Sequence, residues 1–196
     1  ATIFTSTDNH LLTDYMKRLS LLMIALTILS ATAFATEKLT EVNGVKFGWK
    51  YDRCDTALSN VQNRQTRTEG EETNLSYGPA VWGHIEWTGS VLDFYRDKLY
   101  QIGFYKTSDT DDMTAYEQTK TRLSAAYGTD GPVKGEDEKL MWRARNGNLA
   151  VLQYAEETTP DGKKQYATYL FFVDHKEVLK KAKNVEKELR ELMYGK

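Results

Sequence analysis

Between residues 80 and 107 apolar and polar side chains alternate through three successive stretches, and this period of two constrains the fold more than any other feature. Side chains two apart share one face of a strand, so residues 80–87, 90–96 and 98–107 each read as a strand with a greasy row and a mixed aromatic-polar row. Thr88-Gly89 and a tight turn around Asp97 separate the three, which predicts an antiparallel meander. A second set follows. Residues 139–145 and 148–155 flank Asn146-Gly147, a dipeptide that tolerates the positive φ of hairpin turns, and Pro160-Asp161-Gly162 turns the chain into residues 165–173.

Helical patterns precede each set. Residues 51–64 read as a first helix with Asp52 able to cap its start, and the charged stretch 65–74, with Gly70 among glutamates, reads as an exposed loop. Residues 111–127 read as a second helix, with Tyr116, Leu123 and Tyr127 on one face and Gly128 ending it. Asp174 opens a third helix, with Glu177 three positions on in a capping-box pattern. Its apolar stripe is Val178, Leu179, Ala182, Val185, Leu189, Leu192 and Met193; Lys176, Lys180, Lys181, Lys183 and Lys187 lie mostly elsewhere, among glutamates, as a solvated face.

The expected fold class is therefore α+β: an antiparallel sheet of about six strands from two helix-plus-three-strand units, helices on one face, and a C-terminal helix over residues 175–194. Tyr51, Thr56 and Leu58-Ser59 recur at the same spacing as Tyr116, Thr121 and Leu123-Ser124, so residues 45–110 and 111–174 are a possible pseudo-repeat, with chance similarity the alternative.

Upstream lies an export leader over residues 16–35. Met16-Lys17-Arg18 supplies a start residue and two positive charges, residues 19–29 an apolar run broken only by Ser20 and Thr27, and Ala31, Ala33 and Ala35 small residues for cleavage. The run is shorter than the roughly 18 apolar residues a membrane-spanning helix needs, so removal after Ala35 is expected and no stable membrane anchor remains. No cysteine stands at that point to carry a lipid. Residues 1–15 precede the start residue and are read as an upstream, non-native extension. The remaining residues 36–196 are expected to form one domain, periplasmic or extracellular. Formal net charge is −2 with both signs interspersed, which gives no basic footprint for nucleic acid. Cys54, the single cysteine, shares a helical face with Leu58 and Val61 and is expected in the core.

The order of elements, with Phe47-Gly48 before the first helix, residues 97–102 (Asp-Lys-Leu-Tyr-Gln-Ile) opening a strand and residues 122–128 (Arg-Leu-Ser-Ala-Ala-Tyr-Gly) closing the second helix, resembles small secreted bacterial α+β proteins. More distantly it is similar to β-lactamase inhibitory protein, whose helix-and-sheet repeats offer a concave binding face, and to the small lipoprotein of the outer-membrane β-barrel assembly machinery. The resemblance implies a binding role and carries over no functional residue.

Motifs of catalysis are missing from the sequence. His84 and His175 are the histidines after the leader, one cysteine accompanies them, and a zinc site needs three or four suitably spaced ligands. No nucleophile elbow or phosphate-binding glycine loop occurs. No catalytic residue, metal or cofactor is assigned. Candidate binding residues come from the mixed rows: Trp82, His84, Tyr95, Tyr105, Arg143 and Arg145, expected on a sheet face left open by the helices. Trp, Tyr and Arg are enriched at interface hot spots, which favours an envelope or extracellular protein as partner. Rings also stack on sugars, so a glycan is the next partner, and a small envelope hydrolase using carboxylates such as Glu86 and Asp93 is the enzymatic alternative.

Overall fold

In the computed structural model, which describes residues 37–128, 139–159 and 161–194, the alternating stretches do pair into ladders. The chain runs through a short hairpin, β1 (Glu41–Val42) and β2 (Val45–Lys46), into α1 (Tyr51–Ala57). Strands β3 (Gln65–Glu69), β4 (Glu72–Tyr77), β5 (Ala80–Trp82), β6 (Ile85–Trp87), β7 (Gly89–Tyr95) and β8 (Lys98–Ser108) follow, then α2 (Thr114–Tyr127). The last section holds β9 (Leu140–Arg143), β10 (Leu149–Thr158), β11 (Lys164–Val173) and α3 (His175–Tyr194). The leader and the extension before it lie outside the described residues, as do the side chains of Val185, Leu189, Leu192 and Met193.

Seven strands form one antiparallel sheet in the order β3-β4-β7-β8-β11-β10-β9. Its symmetry is visible in that order: α1 precedes the meander β4-β7-β8, α2 precedes β9-β10-β11, and the closing strands β8 and β11 pair at the centre. The α+β class, with its antiparallel sheet and C-terminal helix, is thus what the structure shows. The seventh strand comes from the stretch expected to be a loop. Residues 65–77 fold into the hairpin β3-β4, turning at Gly70-Glu71, with Thr68 and Thr73 hydroxyls 3.2 Å apart across it. Every residue of β3 is exposed, so no buried row marked it as a strand.

Two apolar clusters flank the sheet. Leu75, Leu92, Phe94, Ile102, Phe104, Ala150, Leu152, Leu170 and Phe172 pack on the first face against Cys54 and Leu58 around α1 and Tyr116, Leu123 and Tyr127 of α2. On the second face Val91, Tyr100, Met141, Leu149, Val151, Ala167, Tyr169, Phe171 and Val173 cluster with Val178 of α3. Each Val, Leu, Ile, Phe or Met side chain among them, removed from water, contributes roughly 1.5–3 kcal/mol, so both faces drive folding.

A bulge opposite Asp93/Phe94 shifts the β7-β8 register: Asp93 faces Gln101, whereas Phe94 faces Leu99. Tyr100 is the extra residue. It joins the second cluster, while Ile102 and Phe104, expected in the same row, stay in the first. The helix starts are capped as polar side chains allow. Asp174 Oδ1 accepts from the N–H groups of Lys176 (3.0 Å) and Glu177 (3.3 Å), as its position in sequence predicts. For α1 the cap comes from elsewhere: Asp97, in the β7-β8 turn, accepts from Tyr51 N at 3.0 Å, and Asp52 makes no capping bond.

Candidate functional site

Residues 80–87 are two strands, and this relocates the first pair of candidate residues. Gly83 and His84 both have positive φ, +62° and +61°, forming a two-residue turn that folds β6 back on β5 with Trp82 opposite Ile85. Alternation counted straight through that turn puts Trp82 and His84 on one side. The fold separates them: His84 is exposed at the tip, and Trp82 points inward, its ring 5.1 Å from Phe172 and 6.4 Å from Phe104.

This β5-β6 hairpin belongs to neither meander. It is inserted between β4 and β7, which pair directly with each other, and it lies on the first face of the sheet. Its inner row is Ala80, Trp82, Ile85 and Trp87, with Trp87 fully buried against Phe104 at 5.8 Å and its Nε1 donating to the Trp82 carbonyl at 3.3 Å. Its outer row is the pair Val81 and Glu86, both exposed. Backbone carbonyls of that outer row are tied down from outside: Asn43 Nδ2 donates to Val81 O at 2.7 Å, and Lys106 Nζ to Glu86 O at 2.9 Å. At the tip the Arg122 side chain of α2 lies against Gly83, where a Cβ would sit 3.0 Å from its Cδ. The hairpin is thus held at base, flank and tip. It presents Val81, 60% exposed and the most exposed large apolar side chain among the described residues, on an element whose polar members and neighbours are Asn43, His84, Glu86, Lys106 and Arg122.

The other candidates fall on or near the second face. Tyr95, Tyr105 and Arg143 share it, as the register pairs Tyr95–Glu72, Tyr105–Tyr169 and Arg143–Leu149 require. Tyr105 is half-buried, its ring laid over Gly89 in space that a Cβ would fill at 2.5 Å from Oη. Arg143 and Arg145 are exposed, Arg145 beyond the end of β9 with its N–H bonded to Glu37 O. The face is not the open, wet surface expected for these residues. Its centre is the apolar second cluster, and α3 turns back over it from the end of β11.

Where α3 meets the sheet there is a buried polar group of side chains that alternation alone does not reveal. Lys181 is buried, and its Nζ donates to Glu72 Oε2 at 2.8 Å and to Tyr100 Oη at 3.0 Å, lying 4.8 Å from the Tyr100 ring centre and 5.9 Å from that of Tyr95. Beside it Asp93 is buried and accepts from Asn74 Nδ2 and, at 2.7 Å, from Gln101 Nε2. Burial pushes the Asp93 carboxyl up to about 6, against the lowering effect of the two amides and Lys181. The sequence pattern places Lys181 on the solvated side of the helix, whereas the structure buries it. Its sequence signal was its place three residues after Val178, on the edge of the apolar stripe.

The carboxylates considered for hydrolysis are set apart by this geometry, with Glu86 exposed on the outer row of the hairpin and Asp93 enclosed on the far face of the sheet. Among the described residues no three His, Cys, Asp or Glu side chains gather as a metal site, and no helix is long and apolar enough to cross a membrane. Compared with protein-family models, with curated proteins and with solved structures, the chain finds no match.

Proposed function

We propose that this chain is an exported protein-binding module that contacts its partner through the β5-β6 hairpin. The observation that carries the reading is Val81, left 60% exposed on an element otherwise fixed by two inward-facing tryptophans. An apolar centre with a polar rim that includes an arginine is the composition of a protein contact. Rigid presentation reduces the ordering cost of binding. The hairpin adds no strand to the main sheet, and elements of that kind, carried on a rigid scaffold, commonly hold function. A protein partner is favoured over a glycan because Trp82 and Trp87 pack into the core and leave no ring platform on the hairpin. Export rests on the leader at residues 16–35.

A photo-crosslinking amino acid at position 81, in cells that produce the protein, tests this proposal. The control is the same residue at Asp161, exposed in the β10-β11 loop. One protein adduct specific to position 81 is expected. No adduct, or the same adducts from both positions, would retire the hairpin as the contact surface.

A further inference from the structure

Between α3 and the second face, Asp93 is a buried acid whose bonded partners are two amides. Among the described residues, the charged groups on or beside this part of the face are Glu72 on β4, Asp93 on β7, Lys98 on β8 opposite Tyr95, Lys181 on α3, Arg96 against the Tyr95 ring with Glu71 paired to it and, one strand further out, Arg67 and Glu69 on β3; Tyr95 and Tyr100 are the neighbouring phenols. Arg67 pairs with Glu69 at 3.4 Å, Arg96 with Glu71 at 2.7 Å and Lys181 with Glu72 at 2.8 Å, and Lys98 is exposed, so the buried base already answers an acid other than Asp93. Asp93 faces the amides of Asn74 and Gln101, which donate hydrogen bonds without neutralising charge. Ionised, it is a negative charge buried beside the helix, and Lys181 offsets only part of the cost. Protonated, it can still accept from one amide and donate to the carbonyl oxygen of the other once that amide turns over.

We infer that α3 is a proton-linked strap, docked most firmly while Asp93 is neutral and loosened when Asp93 ionises. With the helix in place the carboxyl titrates near 6, above its ordinary 3.8, because burial disfavours the charged form. Lifting the helix hydrates the carboxylate and returns its pKa toward the ordinary value. The docked form therefore binds the proton more tightly, and docking strengthens as pH falls through about 6. Between about pH 7.5 and pH 5 those two values change the docking constant by up to about tenfold. Loosened, the strap uncovers Tyr95, Tyr100 and the end of the second cluster.

Hydrogen exchange measured on the purified full chain tests the strap, with amides 178–184 of α3 compared with those of β8 after correction for intrinsic rates. Protection of the helix relative to β8 should rise by up to about tenfold from pH 7.5 to pH 5, and Asp93→Asn should abolish the rise. Glu72→Gln, which removes the carboxylate next to Asp93, should move the midpoint to lower pH and supplies the test if Asp93→Asn does not fold. A flat profile in the unmodified protein, a profile in Asp93→Asn like that of the unmodified protein, or an unmoved midpoint in Glu72→Gln would overturn the inference.

Discussion

Gly78→Ala probes whether the β5-β6 hairpin is clamped at its base. A Cβ at position 78 would lie 2.5 Å from the Thr88 carbonyl oxygen, 3.1 Å from Gly89 Cα and 3.4 Å from the Thr88 carbonyl carbon. All three are backbone atoms, so the two ends of the insertion must part by roughly 1 Å to restore ordinary contact. They are held from the other side as well, because Gly78 N donates to Gln62 O at 3.2 Å and Gly78 O accepts from Asn63 Nδ2 at 2.9 Å. Overpacking together with one weakened hydrogen bond should cost about 2–3 kcal/mol, which lowers Tm by roughly 5–10 °C for a domain of this size. Urea denaturation gives the free energy, and near-UV circular dichroism reports Trp82 and Trp87. Gly147→Ala is the control: nothing lies within 4 Å of its Cβ, but φ is +88°, so it should cost about 1 kcal/mol through backbone strain alone and leave the tryptophan signal native. A Gly78→Ala protein at least as stable as Gly147→Ala, with native near-UV signal, would refute the clamp.

Two further outcomes follow from buried groups and caps. Cys54 is fully enclosed, and burial pushes its thiol up to about 12 from an ordinary 9.0; Ellman's reagent at pH 8 should leave the native protein unlabelled and take one equivalent in urea, whereas rapid native labelling would show an accessible thiol. Asp174→Ala removes the acceptor for the Lys176 and Glu177 N–H groups, so chemical denaturation should show a loss of about 1 kcal/mol; no loss would show that the start of α3 is capped otherwise.

Strands were legible where one face is buried and a turn residue marks the reversal. The Asn146-Gly147 signal led to β9 and β10, and the turn near Asp97 is a two-residue reversal with Arg96 and Asp97 both at positive φ. The β5-β6 turn escaped because its second position is His84, a residue that takes positive φ less often than Gly or Asn. Strand β3 escaped because an edge strand exposed on both faces, rich in threonine and charge, has no hydrophobic period to detect. A single bulged residue, Tyr100, was enough to move one side chain from the expected row to the opposite face. The candidate site was legible in part for the same reason. Tyr95, Tyr105 and Arg143 share a face because strand parity places them there, but parity says nothing about what covers that face. Lys181 comes to Glu72 and Tyr100, within electrostatic reach of Asp93, only through the return of α3 over the sheet, a tertiary fact with a weak local trace.

The affinity of Val81→Asp for the protein captured through position 81 tests the binding account most directly. Val81 points away from the core, so Tm should stay close to that of the unmodified protein, while a charge at the centre of the contact should weaken binding by roughly thirtyfold or more. Unchanged affinity in a protein with native Tm would contradict the claim that the hairpin makes the contact.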